Sequence, residues 1–394
     1  MVVKNRLQAI AAASRKRYGN LTSPTPMTRR SFLTRMGAGT ATLSLGLPIR
    51  QAFAESEVNF LGWQGYDDAF MAGGFMEDND IRFETTYIST TEDILTRLRA
   101  GGKGTYDLVT LNHMYVSLSA QADLLEPIKR GRIPNLDKML TRLRQPAELG
   151  LDDIEVNGEL YGVPFTFSSC ALLYNPDMVS EPPTSWMNFL KPEYKGRVAM
   201  FSDAMTNVLV WARAGLGIET PTRMTREELE ETIDFMIEIK TKHARAMPSS
   251  LGEGADMLAR GEVAMIMGWE PMVIWNAAAG RRPEIAKPEE GTWGFFDTIN
   301  IPARAPNYEL DHDLINHCLS KEAQAVFGNQ HALGIVNRES IDLLEPEVRA
   351  LYNYDNLDAY FSQAHLYPMF PMESDGKHVT FDEMLQEYER FLSA

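Results

Sequence analysis

Val58-Asn59-Phe60-Leu61-Gly62-Trp63 opens the stretch that decides the fold class: a short apolar run that ends in a turn. Met71 to Asn79 then reads as helix, and Ile81 to Ile88, rich in β-branched and apolar residues, as a second strand. Thr91 to Arg99 carries capping-box residues at its start and an apolar i, i+4 pair, Ile94 and Leu98. Tyr106-Asp107-Leu108-Val109-Thr110-Leu111 follows as a short buried strand. Strands that alternate with helices predict an α/β chain with a mixed, largely parallel sheet.

Downstream the punctuation continues. Asn157-Gly158 predicts a hairpin turn ahead of the apolar run Tyr161 to Phe167. Pro182-Pro183 breaks the chain, and Ser185 is placed to cap a helix starting at Trp186. Arg197 to Phe201 and Val263 to Met267 read as short strands, and Gly291 to Ile301 as a long one closed by Pro302. Thr225 to Thr241 is an amphipathic helix, with Leu229, Ile233, Met236, Ile237 and Ile239 as apolar positions. Leu310, Leu314, Ile315, Cys318 and Leu319 have helical core spacing, so Cys318 reads as a buried thiol. With only Cys170 and Cys318 present, no disulfide framework is implied.

The first 54 residues hold nine basic residues and no acidic one. Thr28-Arg29-Arg30-Ser31-Phe32-Leu33 precedes a modest apolar run, Met36 to Leu47, and Ala52-Phe53-Ala54 supplies a small-x-small site before Glu55. Paired arginines, short apolar run and cleavage site, in that order, predict a twin-arginine export signal over 1–54, cleaved near Ala54, and hence a periplasmic protein. The alternative is a basic tail. The run is shorter than the roughly 20 apolar residues that a spanning helix needs. The whole chain carries a net charge of −16; without residues 1–54, 29 basic residues face 54 acidic ones, a net charge of −25. Such a surface disfavours nucleic acid and anionic lipid and favours cations; solubility alone would also account for it.

Catalytic and metal motifs are missing from the sequence: there is no nucleophile elbow, zinc-protease helix or phosphate-binding loop. Asp311-His312-Asp313 with His317 is the one local cluster, read as solvated helix residues. No cofactor is predicted. Aromatic residues and single acids recur where strands end: Trp63 with Tyr66 and Asp67, Tyr115, Asp203, Trp269 with Glu270, and Phe295 with Asp297. Strand carboxyl ends are where open α/β sheets bind ligands. Aromatic faces attract cations and carboxylates hold ammonium groups. The same residues also suit an ordinary core with loop caps.

The chain resembles the periplasmic spermidine/putrescine-binding proteins of ABC importers over residues 57–390. The resemblance is carried by Tyr106-Asp107-Leu108-Val109 with Tyr115-Val116; by Thr184-Ser185-Trp186 through Lys191-Pro192-Glu193-Tyr194-Lys195-Gly196; by Gly261-Glu262-Val263; and by Phe295-Phe296-Asp297 before Ile301-Pro302-Ala303. It implies a two-lobed, type II-like periplasmic-binding-protein fold, hinged near Pro164 and Thr298. Lobe one would be 57–163 plus 298–340, and lobe two 164–297 plus 341–394. It also implies a non-enzymatic monomer that delivers a small amine to a membrane permease. Trp63 and Tyr66 fall on the family's aromatic cage, Asp203 and Asp297 on its acids, and Trp269 on its stacking tryptophan, with Phe295 where another tryptophan stands. Gly65 replaces a glutamate, Thr206 a second carboxylate and Leu333 a cage tyrosine, which points to fewer ammonium groups or a zwitterion. Glu270 is placed to restore one charge, and Asn112 and Tyr115 to add hydrogen bonds. The competing expectations are an exported enzyme on a similar scaffold and a binder of an anion or metal ion.

Overall fold

The computed structural model describes residues 56–88, 91–144, 154–278 and 283–394. The export-signal reading therefore lies outside the described residues. One mixed sheet organises the rest. The main path through its twelve described strands comprises β1 (Ser56–Gly62), β2 (Ile81–Tyr87), β3 (Leu108–Asn112), β4 (Val163–Tyr174), β5 (Val198–Ala199), β6 (Ala244–Ala246), β7 (Met265–Trp269) and β8 (Thr292–Pro302), in the order β2-β1-β3-β8-β4-β7-β5-β6. The flanking groups β2-β1-β3 and β7-β5-β6 are parallel within themselves. The two long central strands, β4 and β8, run antiparallel to each other and join the flanks.

All twelve residues of β4 are buried. Cys170, Leu172 and Tyr174 pack into one apolar cluster and Ala171 and Leu173 into another, so both faces of the strand are covered. The β4–β8 ladder is irregular at one point. Asp297 pairs with Thr166 but Thr298 pairs with Pro164, which leaves Phe165 as an extra residue. Pro164 has no N–H to give a ladder, and a bulge is where a central sheet tolerates that loss.

The local elements follow their sequence signals. Asn157 and Gly158 adopt positive φ of 55° and 82° in a hairpin that joins Glu155–Val156 to Glu159–Leu160. Ser185 caps the helix Trp186–Leu190 in a capping box with Asn188. The Thr225 hydroxyl accepts from Glu228 N–H at the start of Arg226–Glu238. Cys170 and Cys318 are buried free thiols. Among the described residues, no helix is long and apolar enough to cross a membrane.

Two readings need correction. Met71 to Asn79 is not one helix: Asp68–Met71 and Phe75–Asp78 are separated by Gly73 and Gly74 at φ of 68° and 76°, a left-handed region that only glycine enters cheaply. Nor are Asp311 and His312 solvated: both are 0% exposed on the helix Tyr308–Cys318. His312 Nε2 accepts from the Lys129 N–H at 2.9 Å. Asp311 has no hydrogen-bond partner at either oxygen among the described residues. Burial, and then the nearby Asp107, push its pKa up to about 9.

Candidate functional site

β8 carries the key acid. Trp293, Phe295 and Asp297 are two residues apart along it and share a face. The Trp293 and Phe295 rings lie 5.6 Å apart. Asp297 stands between Asn112 of β3 and Thr166 of β4 in the ladder, beside the bulge. Its carboxyl is 4% exposed, and the Tyr66 hydroxyl donates to its Oδ2 at 2.6 Å. Among the described residues that is its one hydrogen bond. Burial raises its pKa to about 6 against the smaller opposing effect of Tyr66. A carboxylate there is desolvated and has acceptor capacity left.

Tyr66 follows β1 in a tight turn, with its N–H on the Trp63 carbonyl at 3.1 Å. Its ring is wedged against Phe165, the bulge residue, at 5.3 Å and edge-on against Phe327 at 5.5 Å. Phe165 and Phe327, far apart in sequence, thus aim the phenol at Asp297. Trp63 is partly buried against the same core. Asn112 is buried and caps the next turn through Met114 N–H. Tyr115 is buried too, its ring edge-on to Phe381 at 6.1 Å.

On the other side of β4 lies the second acid. Glu270, just past the end of β7, is 2% exposed. Its Oε2 accepts from Ser168 Oγ at 2.6 Å and Ser169 N–H at 3.0 Å; its Oε1 accepts from Ser169 Oγ at 2.5 Å and the Tyr360 hydroxyl at 2.8 Å. Four donors leave little capacity for a ligand. Ser168 is also the ladder partner of Phe295, and Cys170 that of Trp269. Burial first, then Glu270 and Asp203, push the Cys170 thiol well up, so both carboxylates act on this part of β4. Trp269 packs on Phe201 at 5.4 Å. Asp203 is exposed at the N-cap of Ala204–Leu216, its Oδ1 accepting from Thr206 N–H at 2.7 Å, while Thr206 itself is buried.

Some of the predicted residues lie along the β3-β8-β4-β7 strip, whereas Trp63 packs on the core, Tyr115 meets Phe381, and Asp203 caps a helix through Thr206. Tyr66, Asn112 and Asp297 meet on one side of β4, and Trp269, Glu270 and Phe295 are linked through Ser168 and Cys170. Ser168, Ser169, Tyr360, Phe165 and Phe327 were not singled out from sequence. The adjacent serines inside an apolar strand were the one available signal, since buried hydroxyls need partners. Two surface depressions, one beside His365 and Tyr367 and one beside Phe75 and His317, include none of the predicted residues. Among the described residues, no group of three or more His, Cys, Asp or Glu side chains is placed to hold a metal ion.

The family profile described as bacterial extracellular solute-binding protein matches residues 71–352. The chain belongs to that family. Among curated solute-binding proteins it is 25% identical over 308 residues to the spermidine/putrescine-binding periplasmic protein of Escherichia coli (strain K12), covering 78% of this chain and 85% of that one. It is 23% identical over 318 residues to the putrescine-binding periplasmic protein PotF of the same strain, covering 76% and 82%. Among solved structures, the Tp0655 (TpPotD) lipoprotein of Treponema pallidum superposes with a TM-score of 0.70 at 19% identity, covering 86% of this chain and 98% of that one. The fold is thus the two-lobed one of periplasmic solute-binding proteins. The two curated relatives are named as binding proteins.

Proposed function

We propose that this solute-binding protein is exported by the twin-arginine route, loses its leader near Ala54, and captures a small amine in the periplasm for the permease of an ABC importer. It works without a cofactor and without chemical turnover. The chain closes as a clamp, lobe one being 57–163 plus 298–340 and lobe two 164–297 plus 341–394, with the Phe165 bulge as the hinge. The observation that carries the reading is Asp297: a buried carboxylate with one internal donor, beside the aromatic residues Tyr66 and Phe295. An ammonium group would supply the missing charge and hydrogen bonds, and lobe closure would exclude water from that contact. Asp203 is the second anchor, and Trp63, Trp269 and Phe295 stack on the carbon chain. Asn112, Tyr115 and Thr206 complete the polar wall.

Glu270 narrows the ligand. Its four donors tie it to the protein, so it contributes negative potential rather than a direct grip. Two carboxylates, Asp297 and Asp203, suit a linear diamine such as putrescine better than a triamine. Calorimetric titration of putrescine into wild type and Asp297→Ala tests the anchor. Loss of a buried charge partner is expected to cost about 2–5 kcal/mol of binding free energy. Unchanged affinity in the variant would refute the assignment.

A further inference from the structure

The turn that presents Trp63 and Tyr66 is held from outside by His331, which takes no direct part in the site. His331 is the last residue of the helix Lys321–His331. Its Nε2 lies 3.0 Å from Oδ2 of Asp68, two residues after Tyr66. Its ring also lies over Gly65. A Cβ at position 65 would stand 2.9 Å from His331 Nδ1 and 3.0 Å from Nε2, closer than such atoms approach. Gly65 has φ of +94°, so the backbone is already in a region that side chains rarely adopt. The same imidazole packs on Phe327 at 5.1 Å, and Phe327 meets Tyr66 edge-on. The Gly65 N–H adds a bond to Asp67 Oδ1 at 3.2 Å.

We propose that His331 is a positioning residue for the ligand site: its contact with Asp68 and its packing over Gly65 fix the 63–68 turn, and through it Trp63 and the Tyr66 ring whose hydroxyl meets Asp297. The proposal rests on the amine-binding reading for its effect on affinity, but its mechanical part stands apart from any ligand. Glycine suits position 65 because its φ is positive and the imidazole occupies the space a side chain would need. Ligand contact at that corner is therefore left to Trp63 and Tyr66 rather than to a side chain between them.

Three variants test it, each checked by circular dichroism to be folded: His331→Ala, His331→Gln and Asp68→Ala. Glutamine places an amide nitrogen near the position of Nε2, and so keeps the reach to Asp68. Putrescine titration is expected to show about tenfold weaker binding for His331→Ala and Asp68→Ala, the cost of losing one hydrogen bond to a charged group, with most of the affinity restored in His331→Gln. The ligand-free readout is the carbon-13 titration of the Asp297 carboxyl. A displaced Tyr66 stops donating to it, so its midpoint moves upward in the alanine variants and returns in the glutamine variant. A titration that does not move in either alanine variant overturns the proposal, as does a glutamine variant as impaired as His331→Ala. If wild type does not bind putrescine, the choice of ligand fails, and the carboxyl titration still decides the role of His331.

Discussion

Asp297 and Glu270 flank the same strand, and the fold treats them in opposite ways. Both are almost fully buried. Glu270 is met by two serine hydroxyls, a backbone N–H and a tyrosine hydroxyl, and becomes part of the scaffold that ties β4 to the end of β7 and to Tyr360. Asp297 is met by one tyrosine hydroxyl, and burial holds its pKa near 6. A buried carboxylate whose partners are all internal is structure; one left short of partners is prepared for something from outside. The comparison separates two acids that the sequence presents alike, each at the end of a strand and beside aromatic residues.

The contrast can be broken by substitution. Glu270→Ala is expected to have the largest effect on stability, a loss of about 3–5 kcal/mol, because it strands buried donors on Ser168, Ser169 and Tyr360. Urea unfolding measures it, and a loss below about 1 kcal/mol would mean that the network contributes little. Asp297→Asn is expected to go the other way in the ligand-free protein. The folded pKa of Asp297 lies above its unfolded value, so the folded state binds the extra proton between about pH 4 and 6, and stability falls as pH rises through that window. The asparagine variant avoids that cost. At pH 8 it should be more stable than wild type by about 1–3 kcal/mol, with the difference vanishing near pH 4.

Asp311 offers an independent check on how this fold handles unpartnered acids. With its pKa near 9 it stays protonated in the fold at pH 7 while the unfolded chain ionises, so Asp311→Asn should be more stable than wild type there, and by more than at pH 5. Wild type, and not the variant, should lose stability as pH rises from about 4 to about 9, and level off above that. Equal urea-unfolding profiles across that window would show that the folded pKa of Asp311 is not raised.

The strands that build the site were legible because they are short apolar runs bounded by turns. The hairpin at Asn157-Gly158 and the cap at Ser185 were legible because each signal is local. The length of β4 was not, because Ser168 and Ser169 interrupt its apolar run, and only the distant Glu270 and Tyr360 explain why polar residues belong there. The inward face of Asp311 and His312 was hidden for a related reason: charged residues on a helix read as solvated until tertiary packing covers them. The placement of Tyr66 depends on Phe165 and Phe327, and the need for Gly65 depends on His331, some 260 residues away. Sequence pattern reaches the strand ends where site residues stand; it does not reach the side chains that aim them.

The central claim is that Asp297 grips a cationic nitrogen as a carboxylate. The direct measurement is putrescine affinity from pH 8 to pH 5 in wild type and in Asp297→Asn. The diamine stays fully charged over this range. Wild-type affinity should hold above pH 6 and then fall towards about tenfold per pH unit as Asp297 takes up its proton. The asparagine variant should bind weakly with no such fall. Parallel profiles in the two proteins, or a wild-type affinity that does not change with pH, would contradict the assignment.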